Sequence, residues 1–139
     1  MRLFLDANVI FTAAHNPDGR SAALFELARH RHCALVSSAF AVEEAVRNLR
    51  RKQPASIERL ERLLAVVTIQ PEAVPADVTW AAEQGLPAKD APILAAAAAA
   101  RVALLVTGDR THFGHLFGQR LRDVTVVLPA DALARALGA

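Results

Sequence analysis

Short apolar runs alternate along the chain with longer stretches whose apolar residues recur at helical spacing. Leu3-Phe4-Leu5 reads as a strand closed by Asp6-Ala7-Asn8, with a short helix leading through Val9 to Ala14. Ser21 to His30 carries Ala22, Leu24, Phe25, Leu27 and Ala28 as a helical stripe. Ala34-Leu35-Val36 is a second strand, and Ser38 suits the N-cap of a helix running to about Arg51. Pro54 breaks that helix, and Ser56 opens another with Leu60, Leu63 and Leu64 on one side. The β-branched run Val66–Ile69 predicts a third strand, closed by Pro71. Helices follow over Ala73–Gln84 and Asp90–Arg101, then a strand over Val102–Val106 and the turn Thr107-Gly108-Asp109. A last strand, Val124–Leu128, leads to a short helix started by Pro129 and Asp131.

Nearly continuous apolar strands separated by helices predict an α/β fold. The expected architecture is an α/β/α sandwich around a parallel sheet of about five strands. The alanine run at 95–100 fits a tightly packed helix within it. With 139 residues the chain has room for a single domain, 1–139, and the 53% hydrophobic fraction excludes a disordered one. One cysteine, Cys33, excludes an internal disulfide and any multi-cysteine zinc site, and fits a reducing, cytoplasmic setting. Asp6 arrives too early for a signal peptide, and Arg101 interrupts the longest apolar stretch, so no membrane segment is expected.

Ligands of open α/β folds bind outside the carboxyl ends of the strands. There the chain places Asp6, Ser37, Ser38 and Asp109. Asp6 also suits a helix cap, and Asp109 a turn. Asp90 continues the stripe of Ile93, Leu94 and Ala97, so its carboxylate either caps that helix or points into the cleft. In the helix from Ser38 the stripe Val42, Ala45, Val46 and Leu49 leaves Glu44 roughly opposite the core and Glu43 on the flank. Phasing selects neither glutamate. Carboxylates gathered in one cleft repel each other, and a hard divalent cation such as Mg²⁺ or Mn²⁺ is their natural compensation.

These segments resemble the PIN-domain ribonucleases, particularly the toxins of VapBC-type toxin–antitoxin pairs. The matching stretches are Leu-Asp-Ala-Asn-Val (5–9), Ser38 to Leu49, Lys-Asp-Ala-Pro-Ile-Leu (89–94), Leu-Val-Thr-Gly-Asp (105–109) and the ending 126–131. The resemblance covers nearly the whole chain, in order. It implies an Mg²⁺- or Mn²⁺-dependent RNase whose acids are Asp6, Asp90 and Asp109, with Glu44 favoured over Glu43 by the family register. Asn8 and Thr107 match positions of small polar residues that orient a ligand or water. No further carboxylate immediately follows Asp109, unlike in some members. Bound cations would lower the pKa of the attacking water and neutralise the leaving 3′-oxygen. The implied partners are an RNA substrate, a cognate antitoxin and a second copy of the chain.

Arg47, Arg50 and Arg51 form, with Lys52, the densest cation cluster. They fit either a solvated helix face or a track for the RNA backbone. His112 and His115 lack a third nitrogen or sulfur ligand nearby for zinc. Acid clusters of haloacid-dehalogenase phosphatases and receiver domains need acids that this chain lacks. The remaining rival is a degenerate PIN domain that binds RNA or protein without cleaving. The formal charge of +2 first argues against a polyanion partner. Setting the four candidate acids aside leaves sixteen cations against ten acids, and that objection disappears.

Overall fold

The computed structural model describes residues 1–138. Strand β1 (Arg2–Leu5) leads through helices α1 (Ala7–His15) and α2 (Arg20–Arg29) to β2 (Ala34–Ser38). Helix α3 (Ala39–Lys52), a 3-10 turn at Pro54–Ser56 and α4 (Ile57–Leu64) lead to β3 (Val67–Gln70). Helices α5 (Pro75–Ala82) and α6 (Ala91–Ala99) precede β4 (Leu104–Val106). Helix α7 (Arg110–Phe113) and a second 3-10 turn, Gly114–Leu116, are followed by β5 (Arg120–Leu121), β6 (Val124–Val127) and α8 (Pro129–Ala136).

The strands form one sheet in the order β3-β2-β1-β4-β6-β5, parallel except for the β5–β6 pair. Chain direction across this sheet decides which face each helix covers. From β1 to β3 the chain moves one way, and right-handed crossovers put α1 to α4 on one face, where α1 packs on α2, α3 and α4. The return from β3 to β4 runs the other way, so α5 and α6 pack together on the opposite face, with α6 against β2 and β4. Leu3, Phe4 and Leu5 are each fully buried between the layers, contributing about 1.5–3 kcal/mol apiece. Leu94 to Ala97 are also fully buried. Four successive small or aliphatic residues let α6 lie close to the sheet.

The expected α/β fold with its mostly parallel sheet is present, and four details differ. The sheet has six strands, because Arg120–Leu121 pairs antiparallel with β6. Two residues are too few to show an alternation. The hairpin turn carries Arg122 and Asp123 at φ 47° and 68°, where Asn-Gly would have announced it. The strand expected over Val102–Val106 begins only at Leu104, after Arg101 turns the chain at φ 55°. The third strand is an edge rather than a buried one: Ile69 is 48% exposed. Helix α5 is also shorter than its pattern, starting where Pro75 supplies the first-turn residue. Among the described residues no helix is long and apolar enough to cross a membrane.

Candidate active site

Sheet order fixes where the site lies. The chain leaves β1 toward β2 and later returns to β4 on its other side, so the crevice between the carboxyl ends of β1 and β4 is a topological switch point. Asp6 leaves β1 there, and its backbone N–H donates to Val106 O at 3.0 Å. Thr107, Gly108 and Asp109 leave β4 beside it.

Asp6 is both helix cap and cleft residue. Its Oδ1 accepts from the Ala7 backbone N–H at 2.7 Å, capping α1. Its Oδ2 accepts from the Thr107 hydroxyl at 2.8 Å and from the Asn8 amide at 3.0 Å. Asn8 also donates to Thr107 Oγ1 at 3.2 Å, and its Oδ1 accepts the Gly108 N–H at 2.7 Å. The Asp109 N–H then donates to Thr107 Oγ1 at 3.1 Å. Two short polar side chains thus tie the end of β1 to the loop after β4 and hold the Asp6 carboxylate in one orientation.

Asp90 stands at the N-cap position of α6 but makes no side-chain capping bond. Its residue is 7% exposed, and Oδ2 is a buried acceptor without a hydrogen-bond partner. His112 Nδ1 lies 3.0 Å from that oxygen and 2.8 Å from Asp109 Oδ2, and its hydrogen bond goes to Asp109. Asp109 also caps α7 through Oδ1, which accepts the His112 N–H at 3.0 Å. Asp6, Asn8, Thr12, Glu44, Lys89, Asp90, Gly108 and Asp109 line one open cleft of 370 Å³.

Burial pushes the Asp6 carboxyl up to about 6, opposed by the Thr107 and Ala7 hydrogen bonds and reinforced by the charges of Asp90 and Glu44. Asp90 is also raised, first by burial and then by the neighbouring Asp109 and Glu44, with Lys89 and His112 pulling the other way. Such a site holds more negative charge than its own cations offset. Asp90, Asp109 and His112 each direct one donor atom to within 4.8 Å of the others. Hard oxygen donors, one imidazole and an orphaned carboxylate oxygen fit a divalent cation.

The structure therefore gathers Asp6, Asn8, Glu44, Asp90, Thr107 and Asp109 at one end of the sheet. Helix phasing had put Glu44 on the solvent side, and that needs correction. The fully buried residues of α3 are Ala41, Ala45 and Leu49, while Val42 and Val46 are half-buried. At 100° per residue this turns the buried stripe roughly 50° toward Glu44. Glu44 becomes half-buried over the cleft, and Glu43 stays exposed. Arg47, Arg50 and Arg51 are exposed and form no ion pair among the described residues. Arg47 and Arg51 stand three and seven positions after Glu44, on its side of the helix. Sequence reasoning did not place Lys89 or Thr12 in the site, and it weighed His112 only with His115 as a zinc pair. The spacing Asp109-x-x-His112 on a helix was the available signal for the histidine.

The sequence profile of the PIN domain matches residues 2–111. No curated protein sequence matches the chain. Among solved structures, PAE2754 from Pyrobaculum aerophilum superposes with a TM-score of 0.70 at 19% identity, covering 100% of both chains. VapBC2 from Rickettsia felis, bound to a DNA fragment from its promoter, gives 0.65 at 17% identity, covering 92% of this chain and 98% of that one. VapC20 from Mycobacterium tuberculosis, a sarcin-ricin loop cleaving toxin, gives 0.56 at 16% identity, covering 78% and 91%. At these identities the likeness is one of fold. The matched profile runs from β1 through the loop after β4 and includes every candidate acid, and by it the chain belongs to the PIN domain family.

Proposed function

We propose that the chain is a metal-dependent endoribonuclease and the toxin of a type II toxin–antitoxin pair. The observation that carries this reading is the buried, unpartnered Asp90 Oδ2, held among further carboxylates at the sheet's switch point. A protein pays for such an arrangement in stability, and a bound cation relieves the cost. The likeness to VapBC2 and VapC20 supports the toxin assignment.

In this reading Asp6, Asp90 and Asp109 hold Mg²⁺ or Mn²⁺, and Glu44 completes the acidic wall. A bound divalent ion lowers the pKa of a water and offsets charge on a phosphodiester. Asp6 keeps one carboxylate orientation through Thr107 and Asn8, so the site is preorganised rather than assembled by substrate. Glu44, half-buried and facing the open cleft, is placed to accept a proton from a water approaching phosphorus. Hydrolysis adds that water's oxygen to phosphorus and breaks the bond to the 3′-oxygen, which takes a proton from solvent, while Glu44 returns its proton to solvent. Arg47 and Arg51 extend along α3 from Glu44 and hold flanking phosphates, with Arg50 beside them. An antitoxin would silence the site, and a second copy of the chain completes the expected assembly.

The test is cleavage of a structured RNA by purified protein. Activity is expected with Mg²⁺ or Mn²⁺, with loss on chelation. Asp6→Asn and Asp90→Asn are expected to lower the rate about 100-fold or more. Equal rates for wild type and both variants would sink the assignment of the site. RNA binding without cleavage under any divalent ion would make this a non-catalytic PIN module.

A further inference from the structure

We propose that His112 is itself a metal ligand, giving this site a nitrogen donor that selects a first-row transition ion such as Mn²⁺ over Mg²⁺. The inference rests on the metal-dependent reading above and adds the identity of the ion and a residue that the acid motifs do not contain.

Three observations converge on it. His112 Nδ1 sits 2.8 Å from Asp109 Oδ2 and 3.0 Å from Asp90 Oδ2, so the imidazole stands between the two carboxylates. One ring N–H cannot serve both oxygens. With the proton on Nδ1 it is directed at Asp109 and Asp90 Oδ2 is left buried without a partner, whereas with the proton on Nε2 the Nδ1 lone pair is free to bind an ion. A hydrogen-bonding role for His112 therefore explains only half of its position.

Donors bonded at about 2.1 Å and at right angles to one another stand about 3.0 Å apart. Both His112–carboxylate separations match that spacing, and all three donor atoms lie within 4.8 Å of one another.

Backbone capping helps to place the imidazole. The Asp109 carboxylate caps α7 and receives the His112 N–H, which locks the short helix to the loop after β4. The His112 side chain is one-third exposed. Magnesium favours an all-oxygen shell, whereas manganese and the later divalent ions accept imidazole readily. A site of two carboxylates and one imidazole is accordingly biased away from Mg²⁺.

Calorimetric titration of the metal-free protein with Mn²⁺ and with Mg²⁺ tests this without any RNA. Wild type should bind Mn²⁺ at least about 10-fold more tightly than Mg²⁺. His112→Ala should weaken Mn²⁺ by about 10- to 100-fold and Mg²⁺ by less than about threefold. His112→Asn restores an oxygen donor, and should keep Mg²⁺ affinity while still losing the Mn²⁺ preference. The visible absorption of bound Co²⁺ should shift in both variants, as expected for loss of a nitrogen ligand. Thermal unfolding of each variant confirms that it is folded.

Unchanged Mn²⁺ affinity in both variants, with binding abolished by Asp90→Asn, would overturn the inference and leave the proposed function standing. Equal losses for the two ions would overturn it too, reducing His112 to a residue that positions the acids. A wild-type protein that binds neither ion would bring down both readings.

Discussion

The two ends of the sheet carry opposite charge, and only one has the makings of a site. At the amino ends of the strands, Arg2, Arg101, Arg122 and Asp123 line a cavity of 570 Å³, larger than the acidic cleft. Three of these four residues have partners. Arg2 donates to the Ala100 carbonyl, Arg122 lies 3.9 Å over the Trp80 ring and pairs with Asp77 at 2.9 Å, and Arg120 pairs with Asp123 at 3.0 Å. At the carboxyl ends Asp6 and Asp90 are buried, their carboxyls are raised, and one oxygen has no partner. The presence of a cavity and of charged residues does not mark the functional end. Desolvated charge without compensation does.

That contrast can be broken most severely at Asp90. Asp90→Asn should abolish divalent-ion binding and lower RNA cleavage about 100-fold or more, whereas Arg122→Ala should leave both within about twofold. An Arg122 variant as damaged as the Asp90 one would place the functional end wrongly.

The next effect is on stability. The Asp6 carboxyl lies at about 6 in the folded protein, above the ordinary 3.8. The folded state therefore binds the proton more tightly, and stability is lost as pH rises through this window. Metal-free wild type should become less stable than Asp6→Asn by about 2–3 kcal/mol between pH 4 and 7. Chemical denaturation across that range measures the difference, and saturating divalent ion should flatten the curve. A gap between the two proteins that does not change with pH would refute the strained-acid account.

A smaller change is expected on α3. Arg47→Ala and Arg51→Ala should each raise KM for RNA severalfold with little change in kcat, and should reduce the salt dependence of binding by about 0.7 in logarithmic slope. Unchanged salt dependence would return these arginines to a solvated face. The smallest effect belongs to the satisfied end: Arg122→Ala should cost about 0.5–1 kcal/mol through its lost stacking on Trp80. Thermal unfolding would detect it.

Much of this was legible in the residues. Apolar runs announced β1, β2, β4 and β6 because those strands are buried on both faces and need no polar alternation. Ser38 announced α3, and its hydroxyl does accept the Ala41 N–H at 3.2 Å. β5 was illegible because its register comes from pairing with β6. The place of Glu44 was illegible because a helix reveals its own stripe and not the angle at which neighbours rotate it.

The sequence by itself determined the alternation of strand and helix, and put acids at 6, 90 and 109 with short polar residues at 8 and 107. Local chemistry suffices for that, since propensity, caps and turn residues act over a few positions. Only the tertiary structure decided that β1 and β4 are neighbours, that Glu44 overhangs their ends, and that the His112 imidazole sits between Asp90 and Asp109. Apart from Asp109–His112, these bring together residues far apart in the chain. Sheet order and helix rotation create them, and no local pattern encodes either.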